Sequence, residues 1–336
     1  MAYKLSICIP TLNRGNYIGE TLESIIQQLE HGVEIVIVDG GSTDNTEQIV
    51  TQYQASFPDI RYVRINESEK SPSNEGFDRD CNHAVELANG EYCWLMTDDD
   101  LLVPGAIRKI FNEIGKGYAI IVASVRVLNK DFSEVLIPRR PDVKQDIIFE
   151  PNELNKFAVI AGQALTFVGA VIVKKQFWLS RRREKYFGSG FVHVGVIFDE
   201  RIRENVLVLA DPLVSIRYGN AQWSNRAFMI WMFNWPELIW SFTTILDTSK
   251  QLIVSKEPWR KPKKLLMMRA LGRYSIKEYQ SFLNEKLSSK WERRVAKLIA
   301  RIPRRLLLLP AYLCLLVIGS RGSLDITDLK NSFRSE

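Results

Sequence analysis

The strongest constraint in the chain is the run Trp94-Leu95-Met96-Thr97-Asp98-Asp99-Asp100-Leu101, where a hydrophobic stretch delivers three consecutive carboxylates and is followed by the turn Pro104-Gly105. Adjacent acids repel one another, so a fold that sets them at a strand end gains from it when a cation meets them there. The pattern predicts a metal-diphosphate site, against the plainer reading of a solvated acidic turn. Mg²⁺ or Mn²⁺ suits such a site, because these ions take oxygen ligands and are typically held by one or two carboxylates plus substrate phosphates.

The stretches around this run alternate. Residues 4–10 are Ile-rich and read as a strand closed by Pro10-Thr11-Leu12-Asn13-Arg14-Gly15-Asn16. Tyr17, Ile18, Leu22, Ile25, Ile26 and Leu29 then recur at helical spacing. A second strand, 33–38, ends in Asp39-Gly40-Gly41-Ser42-Thr43-Asp44-Asn45-Thr46; helices are expected over 46–53 and 78–88, and strands over 61–65 and 91–96. Strands alternating with helices predict an α/β, Rossmann-like, mainly parallel sheet with flanking helices and ligands at the carboxyl ends of the strands. No GxGxxG or Walker pattern is present. The metal would therefore handle the phosphates, and Asp39 either accepts from a base or ribose group or closes an Asx turn.

Taken together, Pro10-Thr11-Leu12-Asn13-Arg14, Val38 to Thr46, Asn74-x-Gly76 through Asn82 to Gly90, and Thr97-Asp98-Asp99-Asp100 with Pro104-Gly105 resemble family 2 glycosyltransferases over residues 4–110. The resemblance implies the GT-A fold. It also implies that Asp39 contacts the nucleotide base, that Pro10, Thr11, Asn13, Arg14, Gly41, Ser42 and Asn82 line the nucleotide pocket, and that Asp99, Asp98 and Asp100 form the metal motif. Asp99 matches the principal ligand, Asp98 its partner near ribose and phosphate, and Asp100 is the spare. Two departures matter. Where the family commonly has Ala-Arg-Asn this chain has Asp80-Cys81-Asn82, and the usual Glu-Asp pair holding the catalytic base is missing from 187–200.

His193 is the preferred base, since an imidazole titrates near neutrality and the segment is otherwise apolar, with a buried structural histidine as the plainer alternative. Asp199 is the second candidate and Glu200 the third. Strands are expected over 118–128 and 165–173. Arg217, in Ser215-Ile216-Arg217-Tyr218, could hold a diphosphate through its donor fork or make a routine ion pair.

Four scattered cysteines suggest neither disulfides nor zinc, and the start of the chain reads as a strand rather than a signal peptide, so the catalytic part is expected in the cytosol. Charge is uneven. Of the net +6, residues 256–305 carry sixteen Lys or Arg against four Glu, leaving the remainder net acidic. The apolar stretch 306–318 follows, too short for the about 20 residues of a membrane span. An interfacial segment at the cytoplasmic face of the membrane is expected, flanked by Arg301, Arg304, Arg305 and Arg321, against a helix docked on protein or in a dimer contact; nucleic acid is not an expected partner. The aromatic run from Trp223 to Phe242 reads as either a core helix or an interfacial surface, and 323–336 as a polar tail.

The sequence thus predicts a GT-A domain over 1–225, with a nucleotide-sugar half over 1–110 and an acceptor half over 111–225, and a helical region over 226–336. The leading function is inverting, metal-dependent transfer from a nucleoside-diphosphate sugar to a saccharide, polyprenyl-diphosphate-linked, in O-antigen or capsule synthesis; homo-oligomers are compatible with it. The alternative is a non-catalytic sugar-nucleotide-binding or scaffolding protein on the same fold, with a nucleotidyltransferase as a weaker third reading.

Overall fold

Leu5–Thr11 (β1) and Val33–Asp39 (β2) are buried at every position, as a strand covered on both faces requires. They run parallel, with Thr11 level with Asp39. Ile60–Arg64 (β3) extends the sheet beyond β2, and Tyr92–Leu95 (β4) lies on the other side of β1, both again parallel. The helices Ile18–Ile26 (α1), Thr46–Ser56 (α2) and Gly76–Leu87 (α3) make the crossovers. In α1, Ile18, Leu22 and Ile25 turn inward at helical spacing. The computed structural model describes residues 3–66, 75–220, 222, 224–318 and 323–334; Asn74, Trp223 and Arg321 lie outside them.

After Leu101–Leu102 (β5) and Ala106–Ile114 (α4), the sheet stops being parallel. Ile120–Leu128 (β6), Val135–Arg140 (β7), Ile147–Phe149 (β8), Val171–Lys174 (β9) and Val206–Arg217 (β10) complete the order β3-β2-β1-β4-β9-β6-β10-β5, with β7 beside β6 and β8 beside β10. Here β9 is antiparallel to both β4 and β6, and only β6 with β10 is parallel. The expectation of a mainly parallel sheet holds for β1 to β4 and is corrected beyond them to a mixed sheet. The strand expected over 165–173 is also shorter, because 3₁₀ turns occupy Ala164–Thr166 and Val168–Ala170.

The helical remainder is not separate from the sheet. In the helical segment 227–241, Ile230, Trp235, Leu238 and Ile239 join the main core, whereas Phe228, Met232 and Phe233 join a second one. There Phe228 stacks on Tyr274 with centroids 4.9 Å apart, and Phe233 on Trp259 at 5.9 Å. The aromatic run is therefore chiefly core. Pro262–Ala270, Lys290–Arg301 and Arg305–Ile318 follow as helices. Ser323–Arg334 is a helix rather than the expected polar tail: Leu329 is fully buried, and Asp328 pairs with Arg273 and accepts from the Tyr218 hydroxyl at 2.8 Å.

Candidate active site

The carboxyl ends of β1, β2, β4 and β10 converge on one rim. Two loops there are stitched together by their own polar side chains. Asn13, in the left-handed region (φ +54°) that asparagine tolerates, donates its N–H to the Ser42 hydroxyl at 2.8 Å and accepts from the Thr43 N–H at 2.7 Å. The Arg14 N–H bonds Thr46 Oγ1 at 2.9 Å. Asp39 is fully buried; its Oδ1 accepts from the Gly41 and Ser42 N–H groups at 2.9 and 2.7 Å, and its Oδ2 from the Tyr62 hydroxyl at 2.6 Å. Asp39 therefore closes an Asx turn that shapes the pocket wall. Pro10 and Thr11 are buried at the end of β1, beneath that wall.

The acidic run divides. Asp98 and Asp99 face the guanidinium of Arg14, with Nε 3.2 Å from Asp98 Oδ1 and Nη2 3.4 Å from Asp99 Oδ2. Asn220, just past β10, donates to Asp99 Oδ2 at 2.8 Å. Asp100 turns the other way, bonded to the Thr97 hydroxyl and accepting the Arg217 N–H at 2.8 Å. Burial, then the neighbouring Asp99 charge, push the Asp98 carboxyl up to about 7, and burial drives Asp100 well above the usual range. Arg217 is an internal brace: it donates to the Asp99 and Lys130 carbonyls at 3.0 and 2.8 Å, pairs with Glu20, and lies 4.2 Å from the Phe132 ring. Its role as a diphosphate holder is corrected, because every arm of its fork is already bonded.

Asp98 and Asp99 suit a divalent cation. They are adjacent hard oxygen donors, largely buried, with Arg14 as their one ion-pair partner among the described residues and the neutral Asn220 amide as a further donor. Among the described residues no three acid, histidine or cysteine side chains converge as a metal cluster. Asp100, occupied by the Thr97 hydroxyl and the Arg217 N–H, is corrected from a ligand to a buried strut.

Residues 6–182 match the model of glycosyl transferase family 2, which is more than half of the chain. The chain belongs to that family. Among curated relatives it is 27% identical to abequosyltransferase RfbV of Salmonella typhimurium, over 66% of this chain and 69% of that protein. It is 30% identical to the GalNAc(5)-diNAcBac-PP-undecaprenol beta-1,3-glucosyltransferase of Campylobacter jejuni, over 55% of this chain and 57% of that one. Its fold is that of Staphylococcus aureus TarS 1-349, solved with UDP-GlcNAc (TM-score 0.54, 16% identity, 99% of this chain and 92% of that one). Mannosyltransferase PcManGT from Pyrobaculum calidifontis, solved with GDP-Man and Mn²⁺, shares it too (TM-score 0.50, 14% identity, 100% and 89% covered). The GT-A assignment and the identity as a glycosyltransferase follow.

Four expected site residues of this transferase lie elsewhere. His193, in the helix Val192–Phe198 (α5), is fully buried; its Nε2 bonds the Leu165 carbonyl at 2.8 Å and its Nδ1 has no partner among the described residues. Every residue of α5 is buried, so the imidazole points into the core, and burial lowers its pKa to about 4. As a base it is corrected to a structural histidine. Asp199 is also withdrawn. Burial opposes its ionisation, but bonds from Arg182 and from the Tyr186 hydroxyl at 2.7 Å prevail and hold the carboxyl below its usual range. Glu200 pairs with Arg181. Asn82 faces away from the pocket, accepting from Trp178 Nε1 at 2.9 Å and donating to Glu86 at 3.0 Å.

Sequence reasoning passed over Asn220, whose signal was the polar run after β10, and Asp78. Asp78 accepts the Gly190 and Val192 N–H groups at 2.8 and 3.0 Å, and so fixes the loop before α5 from across the structure. Burial, against those bonds, raises its carboxyl to about 6.

Proposed function

We propose that this glycosyltransferase moves a sugar from a nucleoside-diphosphate donor to a lipid-linked saccharide acceptor in surface polysaccharide synthesis, by one displacement with inversion. The observation that carries it is Asp98 and Asp99 set side by side opposite Arg14 at the rim where the Asp39 loop and the β1 loop meet. In this reading Asn13, Gly41 and Ser42 shape the nucleoside pocket over Pro10 and Thr11, and Asp39 holds its turn. Asp98 and Asp99 bind Mn²⁺ or Mg²⁺, which when bound supplies neutralisation of the departing diphosphate. Arg14 and Asn220 orient those carboxylates, and Arg217 braces the acidic loop from behind. Neither His193 nor Asp199 is assigned the acceptor's proton; positioning and charge stabilisation carry most of the rate, and a general base typically adds about 10²- to 10⁴-fold.

The lipid-linked acceptor is supported by the undecaprenol-linked acceptor named for the Campylobacter relative and by the C-terminal region. No helix of the described residues is long and apolar enough to cross a membrane. Arg305–Ile318 is nonetheless apolar on all sides: Leu308, Ala311 and Leu315 pack inward, and Leu306, Leu309, Leu313, Leu316 and Val317 remain exposed. A helix of this kind beside a basic block lies well in an anionic membrane surface, here the cytoplasmic one.

Titrating the full chain with a panel of nucleoside-diphosphate sugars, with and without Mn²⁺, tests the reading through heat of binding and slow donor hydrolysis. Metal-dependent binding with hydrolysis is expected. Binding with no turnover, even with lipid-linked acceptors present, would overturn the proposed reaction.

A further inference from the structure

Gly40 sits where three elements crowd together. A Cβ at this position would lie 2.7 Å from Asp80 Oδ2 and 3.8 Å from Leu12 Cδ1. The end of β2, the loop after β1 and the second turn of α3 therefore form one slot, with Asp39 at its floor. The two carboxylates of this slot are unlike. Both oxygens of Asp39 accept from protein donors. Asp80 is half-buried, and no donor among the described residues reaches it. A desolvated carboxylate without a donor is unfavourable, and burial followed by the Asp39 charge pushes its carboxyl up to about 7. Where the sequences this chain resembles commonly carry Ala-Arg-Asn, it has Asp80-Cys81-Asn82, so a group with donors only is lost at Cys81 and an acceptor is gained at Asp80. The hydrogen-bonding sense of this turn of α3 is thereby changed from donor to acceptor.

We propose that Asp80 selects the donor's nucleobase, favouring one with an amino group beside a ring nitrogen (guanine or cytosine) over uracil and thymine. The inference rests on the reading of this slot as the place of the donor base. Guanine offers N1–H and N2–H₂ side by side, which one carboxylate accepts together. Cytosine offers N4–H₂, and its N3 accepts from the carboxyl in its protonated form. Uracil and thymine flank a single N–H with two carbonyl oxygens, so a second carboxylate meets a lone pair. Such an unpaired polar contact is what gives a hydrogen-bonding site its selectivity.

The test is calorimetric binding of GDP, CDP, UDP and dTDP to the full chain with Mn²⁺, for the wild type and for Asp80→Asn, with thermal melts of both. GDP or CDP is expected to bind at least about tenfold tighter than UDP and dTDP, whichever of the two is tighter naming the base. Asp80→Asn can turn an N–H₂ toward a carbonyl, and should move the ratio toward UDP by about tenfold with little change in melting. Asp80→Ser, which only removes the carboxylate, should erase the discrimination, and serves if the asparagine variant does not fold. Tight binding of all four by the wild type, or a ratio unchanged in a folded variant, would overturn the role of Asp80 alone. Failure of every nucleoside diphosphate to bind would overturn the donor-site reading beneath it.

Discussion

Arg14 and Asp98 are bound across the mouth of the site, Nε to Oδ1 at 3.2 Å, while the same guanidinium reaches Asp99 and donates to the Asn220 carbonyl at 3.2 Å. One arginine thus joins the β1 loop, the acidic run and the segment after β10. It supplies the positive charge that two adjacent carboxylates require in a largely buried place.

Arg14→Gln should remove that charge and leave Asp98 and Asp99 facing each other. The cost without metal is expected at about 1–3 kcal/mol, the scale of a lost charged hydrogen bond. Added Mn²⁺ should then raise the melting temperature more in the variant than in the wild type, since the cation meets an uncompensated pair. A Mn²⁺ shift equal to or smaller than the wild type's would count against Asp98 and Asp99 as its ligands.

Asp99→Asn and Asp100→Asn should part company. Asp99 faces the site, whereas Asp100 is turned toward Thr97 and the Arg217 backbone. The first should lose the Mn²⁺-dependent share of donor binding, a change of at least about tenfold, and the second should keep it. Loss of the metal response in both would restore Asp100 as a ligand.

How much of this was legible beforehand follows from where the information sits. The parallel strands β1, β2 and β4 could be read because each combines a buried apolar run with a polar loop at its carboxyl end. The antiparallel insertion of β9 could not, because four residues behind two 3₁₀ turns carry little periodicity of their own, and their partners β4 and β6 are distant in sequence. The site was legible in residue types and not in directions. Three consecutive aspartates look equivalent in sequence, yet the turn after β4 sets two against Arg14 and the third against Thr97 and the Arg217 backbone. His193 stands alone as a titratable group in an apolar segment, a pattern that suits a base and a buried structural histidine equally; with every residue of α5 buried, the second holds. The last helix was missed because Leu324, Ile326 and Leu329 are spaced among polar residues, and their partners lie far back in the chain.

His193 makes a prediction about pH. Its imidazole pKa is about 4 in the folded chain, against 6.5 as the ordinary value, so between those values the unfolded chain binds a proton that the folded one refuses. Stability contributed by this group is fully present above about 6.5 and falls as pH drops toward 4, by roughly 3 kcal/mol in all. His193→Leu should flatten that acid slope in thermal melts while leaving turnover at neutral pH within a few fold. A fall in kcat of a hundredfold or more in a folded variant would return the histidine to the role of base.

The apolar face of Arg305–Ile318 offers the test of membrane attachment. Removing residues 303–336 would also remove the Asp328–Arg273 pair and the buried Leu329, so loss of binding after truncation could reflect a damaged fold. Leu309 and Leu313 avoid this, being 60% and 54% exposed on the side away from Leu308 and Leu315. Leu309→Ser with Leu313→Ser should leave melting within about 0.5 kcal/mol, as surface changes usually do. Each leucine contributes about 1.5–3 kcal/mol when fully taken out of water. Partial immersion of both therefore predicts at least about a tenfold fall in partitioning onto vesicles of anionic phospholipid, with the remaining binding weakened further by salt as the basic block is screened. Unchanged partitioning, or a double variant that instead dissociates an oligomer, would assign this face to protein rather than lipid.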